Sequence, residues 1–135
     1  MDMTTVFEQE IDQAHALDHA HKIQKRVIES GFKWTHMDSV FDKIEEELQE
    51  VRSAHASGDK EHTKAEVGDL LFAVIKLASY LDFDPEEALE GCNAKFIKRF
   101  NFMETHLKHV HQKPLKDCSL NQMLAGWAAA KNAGL

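Results

Sequence analysis

Apolar residues return every three or four positions along most of the chain, and no stretch shows the period of two that a half-buried strand requires. This pattern predicts an all-α protein of four to five helices. A first helix is expected from Phe7 to Glu29, closed by Ser30 and Gly31, since glycine is the common residue just past a helix C-terminus. A second is expected from Asp38 into the fifties, stopping at the turn formers Ser57, Gly58 and Asp59. A third should run from Glu61 to about Leu81. The segment "DFDPEEAL" then supplies Asp84 as N-cap, Pro85 at the first helical position and acids in the first turn, so a fourth helix is expected from there to His111. Ser119 stands three residues before Gln122, the spacing of a capping box, and predicts a short last helix carrying Trp127. Connections this short favour antiparallel neighbours, hence an antiparallel helical bundle.

Projection around the helix axis sorts the acidic residues. In "FDKIEEELQEV" the residues Val40, Phe41, Ile44, Leu48 and Val51 share one stripe of roughly 100°. Glu47 falls at its edge, Lys43 and Glu50 lie close to one side with Glu46 just beyond, and Asp42, Glu45, Gln49 and Arg52 point away. In the third helix, "AEVGDLLFAVIKLASYL" is apolar on nearly every side, as in a helix buried among neighbours, yet it carries Glu66 and Asp69. These two acids are about 60° apart in projection. Like charges on a buried helix are costly unless a cation meets them. If the second helix turns Glu47 and Glu50 toward Glu66 and Asp69, four carboxylates converge, an all-oxygen set suited to a hard ion such as Mg2+. A solvated, salt-bridged face is the competing account of Glu47 and Glu50. It fits Glu66 and Asp69 poorly.

The rest of the chain narrows the function. Its 135 residues fit a single domain, and 43% hydrophobic with 29% charged residues is the balance of a folded chain rather than a disordered one. The formal charge of -7 opposes a nucleic-acid partner, which requires a basic surface. Cys92 and Cys118 form no C-x-x-C pair and no disulfide framework, pointing to a reducing, cytoplasmic setting. The opening "MDMTTVFEQEID" lacks the blocks of a signal peptide, and no apolar run approaches the ~20 residues of a membrane span, so no membrane partner is expected. On the fourth helix Lys95 and Arg99 stack one turn apart beside the apolar stripe Leu89, Cys92, Phe96, Phe100, Met103, Leu107 and Val110, where their heads can reach one polyanion. Trp34 and Trp127 offer aromatic faces on which a base can stack, with core anchoring as the rival role.

These residues together resemble the MazG nucleoside triphosphate pyrophosphohydrolases. Glu46, Glu47 and Glu50 followed by Glu66 and Asp69, with "GFKW", "DKIEEEL", "EVGDLLFAVIKLA", "DPEEAL" and "NAKFIKRF", stand in that family's order and spacing from His15 to Trp127. The resemblance implies an all-α NTP pyrophosphatase fold over the single domain 1–135 and a homodimer or higher homo-oligomer. It implies Mg2+ held by Glu47, Glu50, Glu66 and Asp69, and hydrolysis of a nucleoside triphosphate to the monophosphate and pyrophosphate. Lys43, Lys95 and Arg99 would contact phosphate, and Glu46 would orient water or a second ion. Asn93 enters as a substrate contact only through its place in "NAKF", against a role as a cap or an interhelix hydrogen-bond partner. The best-known members carry two such domains in tandem, and this chain resembles their catalytic C-terminal half.

Two other classes of function compete. A non-catalytic helical adaptor would use the acids only to pair with basic groups. A di-metal bundle for oxygen chemistry would need a histidine at the Glu-x-x-His spacing, which neither acidic pair has. The nine histidines, including His15 with His19 and the group His106, His109 and His111, lie in polar stretches without a zinc-protease motif and read as solvated.

Overall fold

A computed structural model of the protein describes residues 15–135. Its elements are α1 (Ala16–Glu29), α2 (Met37–Ser57), α3 (Lys60–Tyr80), α4 (Pro85–His111), a 3-10 turn (Leu115–Asp117) and α5 (Leu120–Asn132). The architecture is all-α. The part of the first expected helix from Phe7 to Ala14 lies outside the described residues.

Local chemistry sets the boundaries. α2 stops where Gly58 takes φ 78°, a left-handed conformation that costs glycine nothing. The Asp59 side chain then accepts from the His62 backbone N–H at 3.0 Å and starts α3, so α2 and α3 form a hairpin with almost no loop. Asp84 Oδ1 accepts from the Glu86 N–H at 2.9 Å in front of α4. Ser119 and Gln122 close both halves of the expected capping box, at 3.1 and 2.9 Å. The 3-10 turn before α5 had no counterpart in the sequence pattern.

The described residues group into two compact units, one up to Glu86 and the other Glu87–Leu135. In the first, Val40 and Ala54 of α2 are buried, as are Ala73, Ile75 and Ala78 of α3. α1 is tied to α3 by Gln24, which is 3% exposed and whose Nε2 donates to the Phe72 carbonyl at 3.1 Å. Without that bond a buried amide would be left unsatisfied.

In the second unit Met103, Leu107 and Cys118 form the core, flanked by Phe100, Leu115, Met123 and Trp127. At Gly126 α5 lies tight against α4: a Cβ there would sit 2.9 Å from Met103 Cγ and 3.2 Å from Leu107 Cδ2. Gly126→Val is therefore expected to destabilise this unit by about 1–3 kcal/mol through overpacking. Thermal or urea melting of the purified variant measures it, and an unchanged midpoint would contradict the close approach.

Two expectations about burial change. α3 is not covered on nearly every side: Ala73, Ile75 and Ala78 are buried, while Leu71 is 60% and Val74 47% exposed. Two partner helices within its unit reach only part of its circumference. On α4 the apolar stripe is buried at Met103 and Leu107 but exposed at Leu89, Phe96 and Val110. None of the described helices is long and apolar enough to cross a membrane.

Candidate metal and phosphate site

α2 turns differently from the projected stripe. Its buried residues are Val40, Glu47 and Ala54, spaced by seven, whereas Phe41 and Leu48 are each 45% exposed. The helix thus faces α3 with Glu47 at the middle of its contact line. Glu47 is 6% exposed, more buried than two apolar members of the expected stripe.

Across the hairpin, α3 brings Glu66 and Asp69 to the same place. One carboxylate oxygen from each of Glu47, Glu66 and Asp69 lies within 4.8 Å of the others. Glu66 is half-buried and Asp69 exposed, so the group runs from the α2–α3 contact to the surface. Each of the two inner carboxylates has one oxygen engaged and one orphaned. Glu47 Oε1 receives Lys43 Nζ at 3.0 Å, and Glu66 Oε1 lies 3.1 Å from His62 Nε2. The other oxygens, Glu47 Oε2 and Glu66 Oε2, are buried without a hydrogen-bond partner. A buried anionic oxygen with no donor is strongly unfavourable, and a divalent cation is the group that relieves several of them together.

Glu50 stands beside this trio rather than within it. Its carboxyl is pushed up to about 7, first by hydrogen bonding to Glu66, then by hydrogen bonding to Glu47 and by the charge of Glu47. Carboxylates this close cannot all ionise freely, so ionisation of the exposed member is held back. The fourth expected ligand is therefore adjacent to both buried ones.

Lys43 bridges Glu47 and Glu46, the latter at 3.3 Å. These bonds, Glu47's first, hold its ammonium above the usual lysine range. Glu46 itself is exposed, where water reaches it. Lys76, one turn from the buried Ala73, is held below the usual range by burial first and by the charge of Lys43 second, with Glu47 opposing.

The remaining sequence candidates belong to the second unit. Asn93 and Lys95 are exposed on α4, and Arg99 is half-buried with its Nε donating to the Leu135 carbonyl at 2.7 Å. Trp127 is half-buried, with its ring 5.1 Å from that of Phe96. It is thus partly a packing residue, as its rival reading held.

Sequence reasoning missed His62, although His62 and Glu66 stand at the i,i+4 spacing that brings side chains together on a helix. It also missed Gln24 and Tyr80, whose partners Phe72 and Trp34 are 48 and 46 residues away along the chain.

Comparison with known proteins identifies relatives of the chain. Residues 36–102, which include Lys43 and all five acids of the two motifs, match the MazG nucleotide pyrophosphohydrolase domain. The chain is 42% identical over 116 residues to the nucleoside triphosphate pyrophosphohydrolase/pyrophosphatase MazG of Thermotoga maritima, covering 86% of this chain and 44% of that protein. It is 44% identical over 91 residues to the nucleoside triphosphate pyrophosphohydrolase of Escherichia coli K12, covering 66% of this chain and 35% of that one. An uncharacterized protein of Bacillus subtilis, YabN, is 43% identical over 68 residues, half of this chain and 14% of its own length. The chain spans less than half the length of each of these relatives. Through the matched segment and these identities, the chain belongs to the MazG family.

Proposed function

We propose that this chain is a magnesium-dependent nucleoside triphosphate pyrophosphohydrolase, releasing a nucleoside monophosphate and pyrophosphate. The observation that carries the reading is the pair of buried, partnerless oxygens on Glu47 and Glu66, beside Asp69 and Glu50. A purely structural adaptor has no use for such a cluster, because Lys43 and His62 satisfy only one oxygen of each buried carboxylate. Glu47, Glu50, Glu66 and Asp69 would hold the ion. When bound, Mg2+ supplies charge neutralisation for phosphate oxygens and makes a coordinated water more acidic.

The chain's own groups have separate tasks. Lys43 places a permanent positive charge at the edge of the carboxylates, where it steadies Glu47 and can meet a phosphate oxygen. Exposed Glu46, 3.3 Å from Lys43, is suited to orienting a water. Lys95 and Arg99 are assigned to the phosphates and Asn93 to the substrate through their match to the family pattern, and Trp127 to the substrate through the stacking face of its ring. The test is direct: purified protein, magnesium and each common nucleoside triphosphate, with products separated chromatographically. Monophosphate and pyrophosphate in equal amounts are expected. Diphosphate and orthophosphate, or no product across the whole panel, would refute the reading.

The same proposal includes self-association and a cytoplasmic setting. Leu71 on α3 is 60% and Ile97 on α4 58% exposed, both of them large apolar side chains on helices that are apolar over a wide arc. Covering such surface is the usual drive to form dimers. Sedimentation analysis should give a mass of at least twice 15.4 kDa. A monomer at micromolar concentration would remove this element. Cys92 and Cys118 are free thiols, as a reducing compartment requires.

A further inference from the structure

A cavity of ≈ 490 Å3 opens in the first unit, among α1, the segment after it, α2 and α3. Gln24, Trp34, Lys43, Phe72, Lys76 and Tyr80 are among the residues that line it. We infer that this cavity holds the base of the nucleotide, with the Trp34 ring against its face and the Tyr80 hydroxyl donating to a carbonyl oxygen of a keto base. The inference rests on reading the carboxylate cluster as a triphosphate site.

Four observations support it. First, the volume falls within the range of small-molecule sites, about 300–1,000 Å3. Second, Lys43 belongs to both places: it lines the cavity and bonds Glu47 at 3.0 Å, so the cavity begins where the acidic cluster ends. A nucleotide with its phosphates at that cluster has its base within reach of the cavity. Third, the aromatic rim is open to water, with Phe32 80% and Trp34 47% exposed, although both are large apolar side chains. A flat heteroaromatic ligand covers such surface by stacking and keeps its polar edge free for hydrogen bonds.

Fourth, the polar groups in the cavity are mostly donors. The Tyr80 oxygen accepts the Trp34 backbone N–H at 2.8 Å, which fixes the loop carrying Trp34 and leaves the phenolic proton to donate. Lys76, 5.9 Å from the centre of the Phe72 ring, is a second donor. The Gln24 amide nitrogen is already committed to the Phe72 carbonyl. A base carrying a carbonyl where Tyr80 points gains a bond. An exocyclic amino group at the same point sets donor against donor, so guanine and uracil should be preferred to adenine and cytosine by about tenfold.

Trp34→Leu and Tyr80→Phe, each checked for unchanged helicity, test the assignment with two independent readouts. One is steady-state hydrolysis of GTP, UTP, ATP and CTP with magnesium. The other is calorimetric titration with GMP, AMP and inorganic triphosphate, which requires no turnover. Trp34→Leu should raise KM about tenfold for all four nucleotides with kcat nearly unchanged, and leave the affinity for inorganic triphosphate as it was. Tyr80→Phe also removes the acceptor that fixes the Trp34 loop, so it should weaken all the nucleotides, but GTP, UTP and GMP about tenfold more than ATP, CTP and AMP, which abolishes the keto-base preference.

Loss of inorganic triphosphate binding in Trp34→Leu equal to the loss for nucleotides would overturn the base pocket. So would GMP affinity unchanged in both variants. Failure of the enzymatic reading looks different: the wild-type protein would hydrolyse nothing, yet bind GMP more tightly than AMP and lose that preference in Tyr80→Phe.

Discussion

Glu66→Gln is expected to reduce hydrolysis by at least about a hundredfold while leaving the metal-free protein as stable as before, or more so. Changes to groups that merely support metal ligands typically cost 10–100-fold in activity or affinity, so loss of a ligand itself should cost no less. The amide keeps the shape of the side chain and removes one negative charge from a cluster in which Glu66 Oε2 is buried without a partner. The same change withdraws the neighbour that contributes most to the raised carboxyl of Glu50. Activity and metal-free stability therefore move in different directions, as expected where a site is built against the preference of the fold. Steady-state kinetics, magnesium titration and thermal melting of the variant supply the measurements. Full activity would remove Glu66 from the site, and unfolding would show that its role is structural.

Much of the local structure was visible in the amino-acid order. Asp59, Asp84 and the Ser119–Gln122 box act through neighbours two or three residues away, and such local chemistry is carried by the sequence itself. Asp84 and the box were read correctly; Asp59 was read only as a turn former. The acid pair on α3 was legible because charge within an apolar helix needs compensation wherever the helix packs. The rotation of α2 was not legible. Val40, Glu47 and Ala54 became the contact line, and Phe41 and Leu48 stayed exposed. Projection treats every apolar residue alike, whereas the line through Val40, Glu47 and Ala54 carries smaller apolar side chains than a line through Phe41 and Leu48. The cavity wall was hidden for another reason, since the Trp34–Tyr80 and Gln24–Phe72 bonds join residues that no local period relates.

Without metal, the protein should lose stability as pH rises from about 4.5 to about 7, and a divalent cation should reverse that trend. The ordinary Glu50 value is 4.5 and the folded value about 7, so between them the folded chain keeps a proton that the unfolded chain has released. Stability falls with rising pH wherever the folded state binds more protons. The contribution of Glu50 is thus complete below the unfolded value and is lost as pH passes through the folded one. Glu50→Gln cannot release a proton, so the wild type compared with this variant isolates the effect: their melting temperatures should diverge across this window in metal-free buffer. Magnesium acts oppositely, because it binds the ionised cluster. At a free concentration near one hundred times its dissociation constant it should add about 2.7 kcal/mol to the folded state. For chains of this size each kcal/mol is worth about 2–8 °C in melting temperature. The gain should be larger at pH 8 than at pH 5, since at the lower pH the ion must displace the Glu50 proton. Melting curves at both pH values, with and without magnesium, decide the matter, and a magnesium effect independent of pH would mean that Glu50 does not share the bound ion.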